Sequence, residues 1–289
     1  MISVPRVSVD ELRCAWESDA PVLAFEYSRL AEKEWAPAHS HERGQLLAVA
    51  QGLLILEAAG ARWMFPSQRC AWIPPGCVHA ARSVGGAAGS MLYLSAEFSR
   101  GLPPEPRLLG SSELLFAIVN RVLGWSRSQS IDASQHRLLA VLRDEIQRPE
   151  EQLLRLPIPR QAKLAKVARA LLTNVADGRP LDEWAKDAGM ARRTFMRAFS
   201  AEMRMPFGRW RQQARLFAAL EMLAQEESIT DVAIAVGYNS VSAFIQVFRA
   251  TLGSTPEAYF GRRKKQDARQ RNESPRGHWE WREDDIIPE

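Results

Sequence analysis

LDEWAKDAGMARRTFMRAF, residues 181–199, and SITDVAIAVGYNSVSAFIQVF, residues 228–248, decide how this chain is read. In the first, Leu181, Trp184, Ala185 and Ala188 recur at helical spacing, Gly189 supplies a turn, and Phe195, Ala198 and Phe199 mark the buried side of a second helix. The second repeats this: Ile229, Val232, Ala233 and Val236, then Gly237, then Phe244, Val247 and Phe248. A helix, a tight glycine turn and a second helix can present that second helix to a DNA major groove. One such match is a weak signal. Two in tandem, with Gly189 answering Gly237 and Phe199 answering Phe248, form an internal repeat.

Between the repeats, Pro206 opens a predicted helix running to about Gln225, with Trp210 and Leu216 as expected core anchors. About twenty residues at ~1.5 Å each give roughly 30 Å. That is close to the ~34 Å between successive major-groove faces on one side of DNA. Another helix is predicted from Gln161 to Ala176.

The stretch from RWRQQARLFAALEML to Phe260 resembles the DNA-binding domain of the AraC/XylS family of transcription regulators. The resemblance spans about a hundred residues and is carried by Ala185, Gly189, Phe195, Phe199, Pro206, Trp210, Arg215, Leu223, Ala233, Gly237, Tyr238, Phe244, Phe248, Gly253, Pro256 and Tyr259. It implies that Arg193, Met196 and Arg197 face bases, with Arg192 nearer phosphate. On the second reading helix it places Ser240, Val241, Ser242 and Gln246 at the DNA, and Arg249 on a phosphate. An arginine can pair bidentately with guanine, whereas Gln prefers adenine and Val can only touch a thymine methyl. The first unit is therefore expected to supply more of the specificity. Arg215 is expected to be internal structural glue.

Charge follows the same division. Residues 1–159 hold 16 basic against 17 acidic side chains, residues 160–265 hold 18 against 10, and residues 266–289 hold 4 against 7. The positive excess sits on the double repeat, where phosphate neutralisation needs it. No apolar run approaches the ~20 residues that span a bilayer. The N-terminus lacks a basic-then-apolar leader pattern. Cys14, Cys70 and Cys77 are odd in number and unpatterned, as reduced thiols of a cytoplasmic protein would be.

Towards the N-terminus, residues 9–18 form a short amphipathic run, and from about residue 21 to 95 short apolar segments alternate with Gly/Pro turns, as in a small β-barrel or sandwich. HSHERGQ, residues 39–45, and PPGCVH, residues 74–79, resemble the two signature motifs of cupin barrels. His39, His41, Gly52, Pro74, Gly76 and His79 match; Gln45 stands where metal-binding cupins carry Glu, and Ser83 where they carry Asn. Alternate strand residues share a face, so His39 and His41 can point inward together, with His79 opposite. Three imidazoles and a weak carboxamide donor could hold a divalent transition metal such as Ni, Zn, Mn or Fe, less tightly than with Glu. Alternatively the histidines hydrogen-bond in a pocket for an organic effector, or are structural. Cys77 is either an extra soft ligand or a small buried hydrophobe.

The fold expected is α+β: a cupin-like effector-binding barrel at 1–100, a helical connector at 101–148, a linker at 149–160, an all-α double helix-turn-helix domain at 161–260, and a disordered tail at 261–289. Residues 101–110 read as a Pro/Gly-rich break. Two connector helices should follow, the first with Leu114, Leu115, Ile118, Val122 and Trp125 on one side, the second with Leu138, Leu139, Leu142 and Ile146. The connector is expected to serve partly as core and partly as a dimer face. The function implied is effector-responsive, sequence-specific control of transcription, not an enzyme. Its partners are operator DNA and a small-molecule or metal effector, with RNA polymerase and a second copy of the chain as open further partners, and no membrane. The rivals are a metal-dependent cupin enzyme fused to a DNA-binding domain, against which Gln45 weighs, and a constitutive DNA binder with a ligand-free barrel.

Overall fold

The computed structural model describes residues 18–30, 35–110, 112–125, 131–148 and 154–260. Cys14, most of the run at 9–18 and the expected tail at 261–289 lie outside them. The described residues form two compact units: 60–62 with 154–260, and the remainder.

The first unit is an antiparallel sheet carrying helices on one face. Its long strands are β3 (Gly44–Ala58) and β6 (His79–Leu94), paired with each other along nearly their whole length. β1 (Val22–Leu30) and β2 (Trp35–His39) pair with the other edge of β6. β4 (Ala61–Pro66) and β5 (Arg69–Ile73) pair with β3. After a short helix α1 (Ala96–Ser99), β7 (Arg107–Leu109) extends the sheet on β5. β7 falls within the expected irregular break, because Leu108 and Leu109 are buried against β5.

The β3–β6 ribbon cannot be straight. Gln45 pairs with Tyr93 near one end and Ala58 with His79 at the other, which a flat ribbon would hold ~43 Å apart. Register shifts on either side of Gln51 break the ladder between Val49 and Leu53. Gly52 (φ +83°) and Gly86 (φ +75°) meet there, and a Cβ on Gly52 would fall 2.0 Å from the Gly86 carbonyl oxygen. Only glycine allows that approach, and the bulges bend the ribbon until its ends face each other. The curl is that of a barrel. Against expectation, the ladder among the described residues does not close, so the unit is a curled open sheet.

Strand alternation then sorts the two faces. Leu46, Ala48, Leu92 and Leu94 lie on one face, in a core with α2 (Glu113–Leu123) and α3 (Ala133–Gln147). Both connector helices form as expected, capped by Ser112 and by an Asp132–Gln135 capping box. Leu115, Ile118, Val122, Leu139, Leu142 and Ile146 fill the core, but Leu114 is 49% exposed, since one residue step turns it ~100° away from Leu115. The opposite sheet face carries Gln45, Tyr93, Leu23 and Phe25.

In the second unit, β8 (Arg155–Pro157) occupies part of what was expected to be linker. Trp210 Nε1 donates to the Pro157 carbonyl (2.7 Å), Gln213 Nε2 to the Arg155 carbonyl (2.7 Å), and Ile158 N–H to the Gly60 carbonyl (3.0 Å). The helices are α4 (Ala162–Thr173), α5 (Leu181–Asp187), α6 (Arg192–Met203), α7 (Phe207–Ala224), α8 (Ile229–Ala235) and α9 (Val241–Leu252). Pro206 is the N-cap of α7, one position earlier than the first-turn site expected of it. Trp210 and Leu216 are buried core residues, and Trp184, Phe195, Phe199, Phe207 and Trp210 interlock through tilted and edge-on ring contacts.

The repeat is visible atom by atom. Gly189 N–H donates to the Lys186 carbonyl and Met190 N–H to that of Ala185; Gly237 and Tyr238 make the same bonds to Ile234 and Ala233. Both glycines have positive φ (62° and 84°). Their surroundings differ. A Cβ on Gly189 would meet nothing within 4 Å, whereas on Gly237 it would lie 2.8 Å from Ala176 Cα and 2.9 Å from Arg215 Nη2. Arg215 is half-buried, its Nε donating to the Val175 carbonyl (3.0 Å) and Nη2 to that of Ala176 (3.4 Å), so it ties the segment after α4 to α7 beside the second turn.

Gly189→Ala should therefore cost only the left-handed backbone penalty, ~1–2 kcal/mol. Gly237→Ala should cost ~1–3 kcal/mol more, because backbone must also move. Urea unfolding followed by tryptophan fluorescence checks this, and equal losses would contradict the close approach to Ala176.

Candidate sensor site and DNA-reading surface

His39 ends β2 and faces its register partner His79, the first residue of β6. His41 lies beyond the strand, so strand alternation does not place it. The loop does: the His41 carbonyl accepts from Gly76 N–H (2.9 Å), which ties the two histidine-bearing segments together. The ring centroids are 4.3 Å apart for His39 and His79, 5.1 Å for His41 and His79, and 5.9 Å for His39 and His41. One ligand nitrogen of each lies within 4.8 Å of the others, and among the described residues this cluster holds the three histidines alone. Cys77 is not part of it.

Each ring is oriented by the backbone. Nδ1 of His39 sits 2.8 Å from the Pro37 carbonyl, that of His41 2.6 Å from the Arg43 carbonyl, and that of His79 2.9 Å from the Cys77 carbonyl. A carbonyl oxygen can only accept, so these contacts favour the proton at Nδ1, and a neutral ring held that way has Nε2 as its second, accepting nitrogen. Burial lowers the pKa of His41 and pushes that of His79 down to about 3, with the neighbouring His39 adding to the shift at both. The His79 ring therefore stays neutral well below the ordinary imidazole range, and His41 shifts in the same direction.

Gln45 is buried and its Oε1 lies 3.4 Å from His41 Nε2. Its Nε2 donates to Tyr93 Oη (3.2 Å), and Tyr93 Oη donates to Met91 Sδ (3.4 Å). Burial raises the Tyr93 hydroxyl above its usual pKa, so it remains a neutral hydroxyl. Sequence reasoning reaches His39, His41, His79 and Gln45 but misses Tyr93. The only local signal is one polar ring in the apolar run MLYL, and its partner is set by strand register. Ser83 is buried with no hydrogen-bond partner for its hydroxyl.

On the helix-turn-helix units, Arg192, Arg193, Met196 and Arg197 are exposed on α6. Arg192 pairs with Asp182 (3.1 Å), an exposed and therefore weak contact that DNA phosphate can replace. On α9, Ser242, Gln246 and Arg249 are exposed and Val241 is half-buried. Ser240 is the N-cap of α9, its hydroxyl accepting from Ala243 N–H (3.2 Å). A groove lined by Ser242, Ile245, Gln246, Arg249, Ala250 and Thr255 runs along this helix.

Comparison with known proteins agrees with this division. A helix-turn-helix domain family matches residues 184–262, and the AraC-like ligand binding domain family matches residues 21–161. The chain is similar to the HTH-type transcriptional regulator NimR of Escherichia coli K12, with 29% identity over 227 residues covering 78% of this chain and 83% of that protein. It is similar to the regulatory protein SoxS of Salmonella typhimurium, with 34% identity over 80 residues covering 27% of this chain and 75% of that one. Among solved structures, ToxT from Vibrio cholerae shows 12% identity and a TM-score of 0.36, covering 83% of this chain and 98% of that one.

The lowered histidine pKa values fix a pH dependence for the metal-free protein. Below pH ~6.5 the unfolded chain takes up protons that folded His41 and His79 refuse, so stability is fully present above ~6.5 and falls as pH drops towards the folded values. Each such histidine costs up to ~1.4 kcal/mol per pH unit. Urea unfolding from pH 7.5 to 4.5 should show this fall, and His79→Gln should make it shallower. An unchanged slope would place the proton uptake elsewhere.

Proposed function

Since the chain belongs to the AraC family of transcription regulators, with a ligand-binding unit before a double helix-turn-helix DNA-binding unit, we propose that His39, His41, His79 and Gln45 form its effector site and that the effector is a divalent transition metal. The observation that carries this is geometric: all three Nδ1 atoms sit at hydrogen-bond distance from backbone carbonyls while one ring nitrogen of each histidine converges on the others. A metal-ligating histidine characteristically donates its other N–H in this way, which fixes the ring and raises its basicity. Three imidazoles with one carboxamide oxygen suit nickel, zinc and iron better than manganese. The donor set carries no formal charge, so affinity is lower than a carboxylate at position 45 would give. The site is read as a sensor rather than a catalytic centre, in keeping with relatives that are transcription regulators. Action on the chromosome places the protein in the cytoplasm, and no helix among the described residues is long and apolar enough to cross a membrane.

Binding in the first unit changes transcription only if the effector has different affinities for two states of the protein. Leu114 on α2 (49% exposed) and Val141 on α3 (38% exposed) support the connector as a place where a second copy pairs.

For DNA, α6 is the principal reading helix through Arg193, Met196 and Arg197. On α9, Ser242 and Gln246 add less, Val241 offers only apolar contact, Ser240 caps the helix, and Arg192 and Arg249 meet phosphates.

Two measurements test these readings. Elemental analysis of protein purified without a metal-affinity tag, then calorimetry with nickel, zinc, manganese and iron, should give one ion per chain, with manganese weakest and Gln45→Glu tightening every ion. No binding at neutral pH would eliminate the metal and leave an organic effector. On a selected operator at fixed salt, Arg197→Ala should weaken specific binding by ~1–3 kcal/mol and Gln246→Ala by less. The reverse order would overturn the ranking of the two helices.

A further inference from the structure

We infer that Glu202 is a positioning residue for sequence reading: it pins the last turn of α6 to the start of α4, and so sets how Arg193, Met196 and Arg197 meet the bases. This rests on the reading of α6 as the principal recognition helix. Glu202 is half-buried on the last turn of α6, and its Oε1 accepts from the backbone N–H groups of both Arg160 and Gln161, the latter at 3.1 Å. Gln161 is the N-cap of α4 and contributes no side-chain cap of its own. In a capping box the acceptor for the N-cap N–H is a Glu or Gln three residues on. In α4 that position is Leu164, which is buried and cannot accept, so an acid from a different helix fills the role. The positive end of the α4 dipole favours a carboxylate there as well.

The two sides of this tie differ in how firmly they are held. On the α4 side the backbone is anchored: Trp210 Nε1 holds the Pro157 carbonyl and Gln213 Nε2 that of Arg155, each at 2.7 Å. Pro157 and Pro159 stiffen the same stretch by fixing φ. On the α6 side, the helix begins from Ala191 with no side-chain cap and ends at Arg204 in the left-handed region (φ 55°). Phe195, Phe199 and Met203 bury one side of α6, which holds it to the core but leaves its tilt to be set at its ends. Arg193 lies nine residues before Glu202, about 14 Å along the axis at ~1.5 Å per residue. A swing of the last turn therefore reappears at the first as a displacement of the base-reading side chains. An arginine pairing with guanine O6 and N7 needs both bonds aligned, whereas non-specific affinity follows charge. Loss of the tie should cost specific binding and spare non-specific binding.

The test titrates the full chain, at fixed salt, against a selected operator, single-base-pair variants of that operator and a scrambled duplex of equal length. Glu202→Ala should lower the ratio of operator to scrambled affinity by ~10-fold, within the range that one bidentate arginine–guanine pair discriminates. Glu202→Gln loses the same charge but keeps an acceptor oxygen, and should hold the ratio within about threefold of wild type. Ser228→Ala is the control for destabilisation alone. It removes the N-cap of α8, where the hydroxyl accepts from Asp231 N–H (3.1 Å), and so weakens the same unit from another helix. It should lower the melting temperature and leave the ratio unchanged. The base pairs at which Glu202→Ala loses preference should be those at which Arg197→Ala does. Equal losses on operator and scrambled duplex, no loss on either, or a matching fall in ratio from Ser228→Ala would overturn the positioning role while leaving α6 as the reading helix. An Arg197→Ala protein with unaltered base preference would overturn the reading of α6, and this inference with it.

Discussion

The first unit depends on a backbone contact that no side chain would permit. Gly52 approaches Gly86 so closely that a single Cβ would overlap a carbonyl oxygen, and the paired bulges there turn a long two-stranded ribbon back on itself. Without that bend, His79 and Gln45 would sit at opposite ends of the ribbon. With it, residues separated along the ladder become neighbours, and β2 brings His39 to its register partner His79. The site is a product of curvature together with the loop contact that holds His41.

The difference between the two units explains what the sequence reveals. Helix-turn-helix units are built from local contacts: a stripe at 3.6-residue spacing, a glycine with positive φ and an aromatic pair four residues apart. All are legible in residues 181–199 and 228–248. The connector helices are legible for the same reason, apart from Leu114, where hydrophobicity was read as burial. In the sheet, the histidines and Gln45 are visible because they lie in two short motifs. Tyr93 is not, because only strand register joins it to Gln45. β7 and β8 were hidden too: a three-residue strand offers no periodicity, and its burial comes from an edge already formed by distant chain. His41 reaches the cluster from a loop, held by its carbonyl to Gly76 N–H, so strand alternation alone does not account for it.

The two DNA-reading units are repeats with unequal constraints. Their turns repeat the same hydrogen bonds at an offset of 48 residues, from Gly189 to Gly237, but their second helices begin at an offset of 49, Arg192 against Val241. The extra residue gives the second helix a serine cap, while the first helix begins from Ala191 with no side-chain cap. The second turn is also pressed against Ala176 and Arg215, and the first is open. The serine cap and the packed turn belong to the second repeat, and the exposed Arg192, Arg193 and Arg197 to the first.

Gln45 bears on something every receptor faces, which is the need to exist with its ligand absent. A buried carboxylate would require a counter-charge whenever the cluster held no cation, and removal of that cation would strain the fold. Three neutral imidazoles and an amide carry no such demand. Under the metal reading, lower affinity is then the counterpart of a well-tolerated vacant form, and the dissociation constant becomes a threshold rather than a permanent attachment. A site built this way reports concentration: it fills when the ion is abundant, empties when it is scarce, and survives both conditions folded.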